Sequence, residues 1–416
     1  MKRLPDISLT VINNAQRASI FMIALVTLSA CQPEPASSIS MGGILGDSSS
    51  QLNQYATVTP GYQLSFPADH LSHDDFRQEW WYLTANMQTE SGEQLGIQWT
   101  QFRIALAPEA AQSAISDLDA ANPNALNPNA LNPEVLNSEA LNLDSSNSEA
   151  SNWATSQMYM SHAALTSSVA HQAAEKWSRG HPELANVSAK PFTAKLDDWQ
   201  WLSGSDGLFP ATLSVATNEF SYQLSLTSHA PMQLQGDKGY SIKSADAAVA
   251  SYYYSQPFID LSGTVTRNGE QEAVTGKAWL DREWSSQFLT KAQQGWDWFS
   301  IRLDDESALM LFQLRGANKD LPAFYSARRM FADGTGRNIS GDSSELIAMT
   351  ALQWQQTASG RYPVSWQLSI PSEQIDVTVS ALNPNSNMPL SIPYWEGPIE
   401  VSGSHNGNGY MELTGY

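Results

Sequence analysis

The tightest constraint on this chain is its rhythm of short apolar segments cut by turn signals, with no helical stripe of any length between them. Segments 96–103, 220–226, 259–265, 299–303 and 309–314 read as strands. Asn268-Gly269, between Thr264-Val265-Thr266 and Val274-Thr275-Gly276, predicts a hairpin, because both central residues of such a turn favour positive φ. Many strands of this size point to an all-β chain of antiparallel barrels or sandwiches.

Such a fold must be held by its core alone. Cys31 is the one cysteine in the sequence, so no internal disulfide can form. It follows Lys2, Arg3, Arg17, an apolar run over 18–28 and Leu28-Ser29-Ala30, the pattern of a lipoprotein signal sequence; a plain secretory signal is the alternative. The run is too short to span a bilayer. The expectation is a secreted envelope protein tethered to a membrane by a lipid on Cys31. Gln32, a residue other than Asp at that position, points to the outer membrane facing the periplasm.

The 385 residues beyond Cys31 (416 minus 31) exceed one ordinary core and suggest two domains. The net charge of −20, from 42 acidic against 22 basic residues with no basic cluster, argues against a nucleic-acid partner. Segment 32–55 is rich in Ser, Pro, Gly and Gln and reads as a flexible tether. The unit Asn-Pro-Asn-Ala-Leu at 122–126 recurs at 127–131, and its prolines bar helix and inner strand, so about 108–152 reads as a disordered surface insertion. The expected organisation is a leader at 1–31, a first domain at 56–240 carrying that insertion, and a second at 241–416. The changeover is placed near Gly236-Asp237-Lys238-Gly239.

Candidate chemistry concentrates in 276–284, with 295–299 shortly after. If 277–283 is extended, a period of two puts Trp279, Asp281 and Glu283 on one face and Leu280, Arg282 and Trp284 on the other. A carboxylate held against indole is desolvated and can stay protonated near neutral pH, which makes Asp281 the first candidate for a general acid. The structural alternative is an ion-pair network of Asp281, Arg282 and Glu283 closing a barrel end, with the tryptophans as core. Trp284, Trp296 and Trp298 are candidate ligand-lining rings. Within Ser251-Tyr252-Tyr253-Tyr254-Ser255, Tyr252 and Tyr254 share a face on which phenols could line a pocket, with Tyr253 pointing away.

A second concentration runs from Asp69-His70-Leu71-Ser72-His73 into Glu79-Trp80-Trp81-Tyr82. His70 and His73 near Glu79 suggest a metal, but the set lacks a firm third ligand, so no metal is assigned. The sequence has no Gly-x-Ser-x-Gly elbow, His-Glu-x-x-His, Walker loop or Gly-x-Gly-x-x-Gly turn, so serine hydrolase, zincin, nucleotidase and dehydrogenase readings lose their support, and no cofactor is expected.

Taken together, Phe66-Pro67-Ala68-Asp69-His70, Glu79-Trp80-Trp81-Tyr82, Gln98-Trp99-Thr100-Gln101-Phe102-Arg103, His162-Ala163-Ala164-Leu165-Thr166, 252–257, 278–284 and Tyr394-Trp395-Glu396-Gly397 resemble the hydroxyneurosporene synthase (CrtC) and AttH-like family. The resemblance runs from about residue 58 to Tyr416, interrupted by the insertion. It implies two lipocalin-like β-barrels in tandem with room for an apolar small molecule or lipid. Members resembling carotenoid hydratases add water to an isolated alkene of a long isoprenoid, using an acid in a Tyr-x-Asp strand preceded by a His-x-Trp pair. Here Asp281 keeps the acid, Trp279 replaces the Tyr, and Tyr252 and Tyr254 fall on the His and Trp. The AttH-like branch resembles secreted lipoproteins, called predicted hydrolases, that are associated with a membrane permease. Two functions follow from the resemblance: an apolar-ligand carrier serving such a permease, which is preferred, or a hydratase, lyase or hydrolase with Asp281 as acid.

Overall fold

The computed structural model describes residues 54–108, 155–318, 320–341 and 346–416. The leader with Cys31, nearly all of the tether and the insertion beyond 108 lie outside the described residues. The described chain falls within one compact unit, Ser40–Tyr416.

It is all-β: two antiparallel sheets, with only 3-10 turns such as Ala68–His70 and Pro371–Glu373 among the described residues. The first sheet takes β1 (Gln78–Thr89), β2 (Gln94–Ala105), β3 (Gln157–Ser167), β4 (His171–Arg179), β5 (Ala185–Ser188), β6 (Thr193–Leu196), β7 (Trp199–Ser203), β8 (Ala211–Ala216) and β9 (Phe220–Thr227). It also takes β10 (Gln233–Leu234), β11 (Tyr240–Ile242), β12 (Ala250–Arg267) and β13 (Glu270–Ser285). Their order is β4-β3-β2-β1-β13-β12-β9-β8-β7-β6-β5, with β10 and β11 both on β12. The two ends of this path approach each other, and Lys176 of β4 pairs with Asp197 and Asp198 beside β7, so the sheet curls into a nearly closed barrel.

The second sheet takes β14 (Gln293–Leu303), β15 (Ala308–Gly316), β16 (Phe324–Met330), β17 (Gly336–Ser340), β18 (Ala348–Gln356) and β19 (Arg361–Ile370). β20 (Ile375–Ala381), β21 (Asn387–Met388), β22 (Tyr394–Gly403) and β23 (Gly407–Leu413) complete it. The order β17-β16-β15-β14-β23-β22-β20-β19-β18 makes a half-barrel, with β21 also on β22.

The Asn268-Gly269 hairpin forms as its residues dictate: both adopt positive φ, 54° and 80°, and they join Arg267 to its partner Glu270. The resulting ribbon of β12 and β13 lies at the centre of the first sheet, between β1 and β9. Pro257, which cannot donate to a ladder, falls at the β-bulge between Gln256 and Ile259. The step from the first sheet to the second therefore comes between Ser285 and Gln293, and residues 250–285, assigned from the sequence to a second domain beginning at 241, hydrogen-bond within the first sheet. The Gly236–Gly239 segment is a turn inside that sheet: Asp237 bridges to Tyr240, and Lys238 and Gly239 take φ of 53° and 99°.

Alternation along β1 shows how the sheets meet. Trp81, Leu83, Ala85 and Met87 enter the barrel core, packed with Trp99, Trp201, Leu224 and Trp284. Tyr82, on the opposite face, joins a separate buried cluster that contains Tyr253 and Trp279 from the first sheet and Trp298, Met310 and Phe312 from the second. The outer face of the barrel is thus a second core, shared with the half-barrel.

Candidate active site

A cavity of about 90 Å³ opens in this shared core. The first sheet lines it with Trp80, Tyr82, Phe102, Tyr253, Asp281 and Glu283, and the second with Trp296, Trp298, Phe312, Tyr394, Glu396 and Glu412. Lys243, Phe288 and Leu289 from connecting segments complete the wall. Ligand space of this kind was expected inside a barrel; the cavity instead lies between the two sheets, because the barrel axis is filled by the barrel's own aromatic core.

Asp281 is the centre of the first wall. Its Oδ1 accepts from Ser255 Oγ at 2.5 Å and from Trp279 Nε1 at 2.8 Å, and its Oδ2 accepts from the Tyr253 hydroxyl at 2.7 Å. Trp298 Nε1 donates to that hydroxyl at 3.3 Å. Burial, seconded by the charge of Glu283, pushes the Asp281 carboxyl up to about 7 against the pull of its three donors. Glu283 has a different environment, with Lys243 Nζ at 2.7 Å and the Ser251 hydroxyl donating to the same oxygen. Lys243 lies over the rings of Phe312 and Tyr253, 4.5 and 5.0 Å from their centroids.

The second wall holds a carboxyl pair. Glu396 on β22 and Glu412 on β23 are cross-strand partners. The Tyr82 hydroxyl donates to Glu396 Oε1 at 2.6 Å, and Trp296 Nε1 donates to Glu412 Oε1 at 3.1 Å. Burial and the neighbouring Glu412 hold Glu396 well above the usual carboxylate range, and burial with the charges of Asp281 and Glu283 lifts Glu412 to about 8. Tyr394 is hydrogen-bonded to His162 Nδ1 at 2.9 Å, and burial drives that imidazole down to about 3, so it is neutral.

The sequence-derived candidates divide by strand face. Trp279, Asp281 and Glu283 share one face, as a period of two requires, with Trp279 behind the cavity as a donor to Asp281. Trp80, Trp296 and Trp298 line the cavity. Tyr252 and Tyr254 turn into the barrel, where Tyr252 bonds Thr59 and Tyr254 bonds His70; the cavity receives Tyr253 instead, with Ser255 beside it. The residues of β12 that flank Asp281 are therefore Tyr253 and Ser255.

Arg282, Trp284 and Trp81 lie on the barrel side. Arg282 and Arg103 both pair with the fully buried Glu79, and Arg282 lies over the rings of Trp81 and Trp284, 3.9 and 5.0 Å from their centroids. Burial opposes ionisation of Glu79, but the two guanidiniums hold it well below the usual carboxylate range. An ion-pair network does sit in the barrel, but its acid is Glu79 rather than Asp281 or Glu283. His73 stacks on Trp284 at 4.0 Å and bonds Asp69 and Glu79, while His70 Nδ1 meets the Tyr254 hydroxyl at 2.7 Å. Among the described residues no three His, Cys, Asp or Glu side chains are grouped to hold a metal ion.

The profile of the AttH-like family matches residues 57–127 and 137–416. The chain belongs to the AttH-like family. An AttH protein from Nitrosomonas europaea has a similar crystal structure, with 32% identity, a TM-score of 0.70, and coverage of 87% of this chain and 99% of that one. Kievitone hydratase from Nectria haematococca shares the fold at 13% identity, with a TM-score of 0.58 and coverage of 86% and 95%. A comparison with curated proteins returns no match. In this AttH-like chain the carboxyls that sequence reasoning did not single out, Glu396 and Glu412, have one legible trace. Each is an acid inside a strand whose other residues are largely apolar, Tyr394-Trp395-Glu396 and Tyr410-Met411-Glu412-Leu413.

Proposed function

We propose that this AttH-like protein is a cofactor-independent hydro-lyase that adds water to, or removes it to form, a carbon–carbon double bond of an apolar substrate, with Asp281 as the general acid. The observation that carries this reading is the Asp281 carboxyl itself: buried, free of any cationic partner, held by three donors in an aromatic cavity, and pushed up to about 7. A substantial share of such a group holds its proton at neutral pH and can deliver it to an alkene carbon. The tertiary cation left behind would face the rings of Trp80, Trp296, Trp298 and Phe312, and a desolvated cation gains about 2 kcal/mol from each well-placed ring.

A hydratase among the proteins that share the fold supports the same chemistry. A carrier, the other reading of the sequence, would use the rings but gives no role to Asp281, Glu396 and Glu412, carboxyls without cations at the cavity wall. In the cell, a lipid on Cys31 would hold the enzyme at the outer membrane, where apolar substrates partition.

The test is turnover of kievitone and of neurosporene in oxygen-18 water, followed by mass spectrometry. The wild-type protein should yield a product carrying one labelled water, and Asp281→Asn should lose at least about a hundredfold in rate while still binding the probe. Hydration by Asp281→Asn at the wild-type rate would remove Asp281 as the acid, and a wild-type protein inert toward both probes would count against the substrate class.

A further inference from the structure

Two deeply buried carboxyls in this protein are matched by arginines. Glu79 lies between Arg103 and Arg282, and Asp297 pairs with Arg315 at 2.5 Å and accepts from the Tyr416 hydroxyl at 2.6 Å. Those are structural arrangements, in which each charge is compensated within the protein. Like Asp281, the fully buried Glu396 and the half-buried Glu412 have no such cation. They face each other across β22 and β23, line the cavity, and have no Lys or Arg in salt-bridge range among the described residues. Their hydrogen-bonding partners are neutral, Tyr82 and Tyr394 for Glu396 and Trp296 for Glu412. Glu396 Oε2 is buried and accepts no hydrogen bond of good geometry.

We propose that Glu396 and Glu412 share a single proton and form the water-binding and base half of the site, with the substrate's double bond held between them and Asp281. This rests on the hydro-lyase reading. Two adjoining carboxyls in this wall cannot both ionise: burial keeps a proton on Glu396, and Glu412, whose rise to about 8 includes the charge of Asp281, is the one to ionise while Asp281 holds its proton, so the pair works with one proton and one negative charge. The free Oε2 of Glu396 then accepts from the water that adds. In the hydration direction the alkene π pair takes the proton from Asp281, whose O–H bond breaks as a C–H bond forms and a carbocation is left. A lone pair of the water forms the C–O bond, and one O–H of that water breaks toward Glu396 Oε2. The product has gained one water and nothing is oxidised or reduced. The cycle closes when the doubly protonated pair releases one proton to solvent and Asp281 regains one. Tyr82 is the positioning residue: it fixes Glu396 Oε1 and lies within the electrostatic reach of Glu396, Glu412 and Asp281.

The experiment follows two isotopes in the kievitone and neurosporene assays, run in deuterium oxide. Asp281→Asn should lose both hydration and deuterium uptake into recovered alkene. Glu396→Gln should lose hydration by about a hundredfold but keep deuterium uptake, because protonation is intact and only water capture is impaired. Equal hydration rates in Glu396→Gln and the wild type, with Asp281→Asn inactive, would overturn the carboxyl pair and leave the acid standing. A second measurement needs neither turnover nor a folded variant of Glu396: carbon-13 NMR of wild-type protein labelled at glutamate Cδ, with Glu412→Gln used for assignment. One proton should remain on the pair at neutral pH. Two ordinary carboxylates in that spectrum would refute the proposal even if no probe is hydrated.

Discussion

Replacing Asp281 by Asn should make the folded protein more stable above neutral pH while removing its acid. In an unfolded chain the carboxyl ionises near its ordinary value of 3.8, whereas in the cavity wall it does so at about 7. Below 3.8 both states hold the proton and the group contributes no difference. Between 3.8 and 7 the unfolded chain releases its proton and the native protein keeps it, so the native state binds more protons and stability falls as pH rises. The interval is about 3 pH units, and at about 1.4 kcal/mol per unit the full cost is about 4 kcal/mol, constant above 7. Asn carries no charge and avoids that cost, and it retains a carbonyl to accept from Ser255 and Trp279. Urea unfolding of both proteins at pH 5 and pH 8.5 isolates the effect, because every other titrating group is common to the two. Part of the cost is already present at pH 5, so the stability gained by the variant should grow by about 3 kcal/mol between the two pH values. A difference independent of pH, or a variant less stable at both, would show that the three donors outweigh burial and that Asp281 rests as a carboxylate unsuited to act as an acid.

Two further outcomes test the frame around the site. Glu79→Gln leaves Arg103 and Arg282 as buried cations without a counter-charge and should cost about 3 to 5 kcal/mol in urea unfolding; an unchanged midpoint would mean that the network is not what closes the barrel. Gly96→Ala places a methyl 2.5 Å from the Tyr410 hydroxyl and 2.7 Å from Pro398 Cγ, where β2 meets the second sheet. Overpacking of that kind should cost about 1 to 3 kcal/mol, read as a lower melting temperature, and a neutral result would argue that the sheets are loosely joined.

What the sequence could show depended on how many faces of a strand are buried. Along 279–284 the acids fall on every second residue, and the alternation sorted Asp281 and Glu283 from Arg282 and Trp284 correctly. It could not say which face met a cavity. In 250–257 every residue is buried, because the ribbon is covered by the barrel core on one side and by the second sheet on the other. A strand buried on both faces carries no polar signal, so Tyr252, Tyr253 and Tyr254 were indistinguishable by pattern. Glu396 and Glu412 were hidden for the opposite reason: an isolated acid in a strand ordinarily faces water, and only the docking of the two sheets buries Glu396 and half-buries Glu412. The Gly236–Gly239 turn read as a domain changeover because turn chemistry looks the same within a sheet as between domains.

The same alternation accounts for the chemistry being kept where it is. On β1, Glu79 and Trp81 point inward and Trp80 and Tyr82 outward; on β13, Arg282 and Trp284 point inward and Asp281 and Glu283 outward. β13 therefore carries a cation, Arg282, to the barrel and two acids, Asp281 and Glu283, to the cavity, each a single residue away. Arg282 is bonded in sequence to both Asp281 and Glu283, yet its guanidinium is committed to Glu79 on the far side of the sheet. That commitment keeps a strong cation away from Asp281. Were Arg282 on the cavity face, its charge would pull the Asp281 carboxyl down into the ordinary carboxylate range, and the proton would be gone at neutral pH. A one-residue slip of β13 would exchange the two faces, carrying Asp281 out of the cavity wall into the barrel and Arg282 into the cavity. The Glu79 network thus fixes the register that lets an acid remain protonated one residue away.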